Sequence, residues 1–252
     1  MLDVSPLAHF GLLLVRPGML MMLAPGIGGQ FVPGQARVAL TVLIALALFP
    51  SVAIPAGNGN ALVTAIILRE VVIGLSIGFV IRALIAGAEF AGHLSGYQIG
   101  FSYGATVDPQ NGVNNTMLAT LYGMLATLGF LAINGHHMLL RALAMSYSGL
   151  PIGMGGVSQS LPAAVREIMA LVFIVGTRLA APIVIVLLVV EIAVGLISRA
   201  SPSLNFMIIG YPIRLIVGLF LVAALVGTVP AVTNALVETT LMLAMRTAAI
   251  FR

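Results

Sequence analysis

The ionisable residues that could do chemistry in this chain are few. Asp108 precedes Pro109 in a stretch of polar residues, and a carboxylate at membrane depth could carry a proton in an ion-coupled transporter. An aspartate before proline also organises a turn through its own side chain, which is the simpler reading of this one. Arg82 and Glu89 are seven residues apart and fall on nearly the same face of a helix. They could belong to a proton relay; pairing with neighbouring helices is the plainer role for buried charges of this kind. His136 and His137 are adjacent, so on a helix they point about 100° apart and make a poor bidentate metal site. No His-Glu-x-x-His, Gly-x-Ser-x-Gly, Walker or dinucleotide-binding pattern is present, so the sequence makes no case for an enzyme. Cysteine is absent, which excludes disulfides and thiolate metal sites, and no cofactor is expected.

The elements that hold these residues are apolar helices. Hydrophobic residues make up 60% of the 252, and mean hydropathy is +1.16, far above that of a water-soluble domain. Apolar runs at about 7–29, 38–56, 61–91, 116–133, 165–197 and 204–229 each reach or approach the ~20 residues of a membrane-spanning helix. The expected fold is all-α, built of membrane-type helical hairpins with broken helices, as one domain over 1–252. Asp3 precedes the first basic residue, Arg16, so no cleavable secretory signal is expected. All eleven basic residues are arginine, and they are spread along the chain, which gives no case for nucleic acid. Arg37, Arg141, Arg199 and Arg246 fall on alternating sides of a six-span arrangement, so charge does not orient it.

Breakers divide the chain. Arg16-Pro17-Gly18 interrupts the first apolar run, Pro25-Gly26 ends it, and Pro50 and Pro55 close the second. The third segment runs helically from Ala61 to about Phe101 and carries Arg69, Glu70, Arg82 and Glu89. Charges there predict a helix with protein on several sides. Gly74 and Gly78, then Gly92, Gly96, Gly100 and Gly104, recur every fourth residue, the spacing that lets helix backbones approach closely. The run breaks at Asp108-Pro109-Gln110-Asn111-Gly112, an irregular polar stretch that must be buried in protein or line a watery cavity. The segment Arg69–Arg82 echoes Arg166–Arg178, a match that chance explains in so apolar a chain.

Set in order, these pieces resemble the FliR family, the R subunit of the flagellar type III export gate, related to injectisome T-type export apparatus proteins. The matching stretches are Arg16-Pro17-Gly18, GYQIGFSYGATVDP at 96–109, NGHH at 134–137, SYSGLPIG at 146–153 and SPSLNFMIIGYP at 201–212. The resemblance marks Arg16, Pro17, Gly135, His136, His137, Pro151, Pro202, Asn205 and Pro212 as structural. It implies a helically wound inner-membrane channel of the basal body, shared with P-type and Q-type subunits and the B-type switch protein, that passes unfolded flagellar substrates. Residues Tyr103, Gly104, Ala105, Thr106, Val107, Asp108, Pro109, Gln110, Asn111 and Gly112 match the loop that plugs the closed pore. Without the self-cleavage motif Asn-Pro-Thr-His, the chain looks like the form not fused to the switch protein. A small ion-coupled transporter using Asp108, Arg82 and Glu89 is the competing expectation, and a structural ring closer without pore contact is a third.

Overall fold

In the computed structural model, the described residues are 6–29, 32–52, 63–101, 117–153, 161–200 and 206–249. Among them are eight α-helices and no strand. They are α1 (Pro6–Leu23), α2 (Gly34–Leu48), α3 (Val63–Ile99), α4 (Met117–Ala132), α5 (Gly135–Gly149), α6 (Leu161–Ala200), α7 (Phe206–Leu225) and α8 (Thr228–Ala249). Four helices are long and apolar enough to cross a membrane. The number rises to six if α4 with α5, and α7 with α8, each count as one bent span. The plug-loop residues, with Gly104, Pro202 and Asn205, lie outside the described residues.

The chain packs as two compact units interleaved in sequence. The first takes residues 1–84, 130–169 and 236–252; the second takes 85–129 and 170–235. Helix α3 buries Ile73, Ile77, Val80, Leu84, Ala88, Ala91, Ser95 and Ile99, a stripe stepped by three or four residues down its length. It is largely enclosed by the protein, whereas α6 buries one stripe, Leu171, Val175, Leu179, Ile183 and Leu187, and leaves most of its surface open. In the second unit Ile99, Leu118, Ile183, Leu187 and Val222 form an apolar core.

Helix α1 departs from the expectation of a break at Arg16-Pro17-Gly18, since it runs unbroken through Pro17. Proline lacks an N–H, so the carbonyl four residues earlier, that of Leu13, loses its helical donor. The Tyr147 hydroxyl of α5 donates to that carbonyl at 3.0 Å, and this bond repairs the ladder. Between α4 and α5 the chain turns by 70°. Asn134 takes a left-handed conformation there (φ 59), which asparagine tolerates better than most residues. Gly135 lies flush against the Phe130 ring, where a Cβ would collide with it.

Candidate functional site

The best-defined polar centre is in the first unit, where three separated stretches of sequence meet. Gly74 and Gly78 let α3 approach α1 closely: a Cβ on Gly74 would lie 2.7 Å from the Arg16 carbonyl oxygen, and one on Gly78 2.9 Å from Leu23 Cβ. This proximity brings Glu70, one turn before Gly74, against Arg16. The Arg16 Nε donates to Glu70 Oε2, and Nη2 donates to Glu70 Oε1 at 3.1 Å. Nη2 also reaches the Leu150 carbonyl at 2.8 Å and Nη1 the Ser146 hydroxyl at 3.2 Å. The guanidinium lies 4.4 Å from the centre of the Tyr147 ring. Glu70 Oε1 accepts the Gly153 N–H at 3.3 Å, and Arg69 donates to the Gly153 carbonyl at the same distance. Gly153 has φ 78, a conformation glycine enters without strain.

Both charged side chains are fully sealed from solvent. Burying ions is tolerable only when geometry and hydrogen bonding are nearly complete, as they are here. A sealed, internally satisfied pair has no route for a solute or a proton, so its chemistry is that of a clasp joining α1, α3 and the turn after α5. It gives a shared physical reason for the Arg16-Pro17 and Ser146–Gly153 stretches, the second of which contains Pro151 at the turn. Sequence reasoning singled out Arg16 but missed Glu70 as its partner. The signal was available: Arg16 has no acidic residue within a helical turn, so its partner had to be distant in sequence.

A second polar cluster, also missed, lies in the second unit. Arg214 Nη2 of α7 is 2.6 Å from Glu191 Oε1 of α6, and Gln98 Nε2 of α3 donates to the same oxygen at 3.3 Å. The pair is 28% and 30% exposed.

The remaining expected residues have these places. Arg82 is in the first unit and Glu89 in the second; both are half-buried and neither is an unpaired charge. The Glu89 side chain packs on Gly123, where a Cβ would be 2.8 Å from its Cγ. Gly92 faces α4, with a Cβ placed 2.5 Å from Ala119 Cα. The Gly96 carbonyl accepts the N–H groups of Gly100 and Phe101 and so closes α3. Gly100 (φ 104) meets the Tyr211 ring. His136 and His137 stack at 4.3 Å in the first turn of α5, and among the described residues no group of three or more metal-ligating side chains is present. Pro212 is the seventh residue of α7, past its first turn, so the Ile208 carbonyl loses its helical donor. The echoed segments have different surroundings: Glu70 is sealed by Arg16, while its counterpart Glu167 is exposed.

Residues 7–240 match the family model described as bacterial export proteins, family 1. The flagellar biosynthetic protein FliR of Escherichia coli (strain K12) is 34% identical over 215 residues, covering 84% of this chain and 82% of that protein. The FliR of Caulobacter vibrioides is 31% identical over 220 residues (84% and 86%), and that of Pectobacterium carotovorum 30% over 219 (86% and 83%). On a chain of apolar helices, two of whose charge pairs are tied across the fold, a match of this extent shows that the protein belongs to the bacterial export proteins of family 1, among the FliR proteins.

Proposed function

We propose that this chain is a non-enzymatic core subunit of the flagellar type III export gate. It forms part of the inner-membrane channel, within the basal body, that passes unfolded flagellar proteins outward. It works with P-type and Q-type subunits and the B-type switch protein, and residues 103–112 serve as the loop that plugs the closed pore. The family match over residues 7–240 carries the export reading. The physical setting supports it, since four to six apolar spans place the chain in a membrane and the bent pairs suit a wound assembly. The plug assignment draws on sequence: Gly104, Gly112 and Asp108-Pro109 allow irregular backbone, Thr106, Gln110 and Asn111 offer polar groups to a wet lumen, and Val107 adds an apolar seal. Energy for transport comes from other components.

Affinity purification in mild detergent tests the assembly. P-type and Q-type subunits are expected to co-purify in one large complex; a lone monomer or homodimer that binds a small solute would favour the transporter instead. Deleting the tip of the 103–112 loop in an assembled gate is expected to raise ion leak. Unchanged leak together with unchanged export would end the plug assignment.

A further inference from the structure

Helix α6 is too long to lie wholly in a bilayer, since its 40 residues rise about 60 Å against a hydrocarbon thickness of ~30 Å. One stretch of it has the right length. Arg178 and Arg199 are exposed, and neither makes a hydrogen bond or an ion pair among the described residues. They are 21 positions apart, which is roughly 31 Å along the helix axis. Between them Pro182, Ile185, Val189, Ile192 and Leu196 follow at alternating steps of four and three, so all seven residues share one face. Ile185 and Val189 are each 60% exposed, Ile192 56% and Leu196 63%. The one other charge in this stretch, Glu191, lies roughly 130° around the helix from that face, where it pairs with Arg214 of α7. Charges inside membrane spans pair and turn inward in this way.

The shape and chemistry of the face select lipid as its cover. It is wide: Leu188 on one flank, and Val186 and Ile197 on the other, are exposed as well. The open surface covers about half the circumference, whereas the seam for one partner helix takes only two positions in seven. It is also bulky. Helices in membranes meet through small residues, as α6 meets α3 where Gly176 lies against the Phe90 ring and Gly87 against Val175. The outer face carries branched side chains in place of glycines. Its Arg178 end is polar in the backbone too, because Pro182 lacks an N–H and the Arg178 carbonyl loses its helical donor. A guanidinium and such a carbonyl at one level need water or headgroups, and hydrocarbon supplies neither.

We propose that the Arg178–Arg199 face of α6 is a lipid-contact surface, with residues 179–198 in hydrocarbon and the two guanidinium groups on phospholipid phosphates of opposite leaflets. Arginine suits that place, because its stem lies along apolar surface while its head pairs with phosphate. The assignment does not depend on the export reading. Because the chain has no cysteine, a single introduced thiol carries a nitroxide label to one position. Thr177→Cys, Ile185→Cys, Val189→Cys, Ile192→Cys and Ala200→Cys, each accumulating at the parent's level, are labelled in the complex as it purifies. The complex is then placed in vesicles of phosphatidylethanolamine and phosphatidylglycerol. Collision with oxygen is expected to peak at Val189, and collision with a water-soluble nickel chelate at Thr177 and Ala200. Nickel chelate reaching 185–192 would mean a wet face, and neither reagent reaching it would mean a covering protein chain. Either result overturns the lipid assignment, while co-purification of partner subunits in the same preparations reports on the export reading separately. Arg178→Leu should move the oxygen maximum toward Thr177, Arg199→Leu should move it toward Ala200, and lysine at either position should restore it. A maximum unmoved by both leucine variants would overturn the phosphate contacts.

Discussion

The first unit closes its ion pair and the second leaves its pair half open, although both are built from one arginine and one glutamate on different helices. The neighbours make the difference. Arg16 meets a carboxylate from α3 and, from the end of α5 and the turn after it, a hydroxyl and a carbonyl; the backbone of that turn is itself tied to Glu70. Arg214 meets Glu191, which it shares with one amide. The first arrangement suits holding a fold together, and the second suits an exchange of partners. The two arrangements are segregated into separate units.

Four substitutions would break or sharpen that contrast. Arg16→Met should have the largest effect, because it leaves the Glu70 carboxylate buried without its counter-ion, at a cost of about 3–5 kcal/mol. The expected readout is loss of the protein from the membrane fraction or a steep fall in its thermal stability in detergent. Wild-type accumulation would mean that the pair is not a clasp. Next is Gly74→Ala, where the added Cβ meets α1 backbone at 2.7 Å; overpacking of this kind costs about 1–3 kcal/mol and should separate α3 from α1. An engineered disulfide between these helices, forming in the parent and failing in the variant, checks this. Tyr147→Phe keeps the ring near Arg16 and removes only the bond to Leu13, for a loss of about 1–2 kcal/mol in the same melting assay. No change in melting would show that Leu13 finds another donor. The smallest effect on stability belongs to Glu191→Gln, under about 1 kcal/mol for a part-exposed pair. A clear drop in export rate at unchanged protein level would then mark the open pair as functional, whereas a large stability loss would place it in the same class as Arg16–Glu70.

Much of this was legible in the sequence. Apolar length gave the helices, and their fourfold glycine spacing fell at close approaches such as Gly74 on Arg16 and Gly92 on Ala119, because steric demand is written locally. The left-handed turn at Asn134-Gly135 likewise follows from residue types that permit it. Pro17 misled, because the carbonyl it orphans is given a donor by Tyr147 of α5, a contact that local sequence does not show. The Arg16–Glu70 and Glu191–Arg214 pairs were illegible for the same reason. Their members are tens of residues apart or on different helices, and periodicity carries no information about which distant charges meet. The family resemblance recovered the separated motifs as a set without stating their contacts.

The repair of α1 also has a consequence in time. Its Leu13 carbonyl waits for a hydroxyl 134 positions later, and Arg16 waits 54 positions for Glu70 and 134 for the Leu150 carbonyl. As the chain leaves the ribosome, its first helix is therefore synthesised incomplete, with a charged side chain and a bare carbonyl that nothing yet made can satisfy. The last of the missing partners, Tyr147 and Leu150, are made 134 positions after the groups they serve. Over that interval the amino-terminal helix must be sheltered by the insertion machinery or by water at the membrane surface. The final docking of α1 is thus a late event in the biogenesis of this protein, although its residues come first.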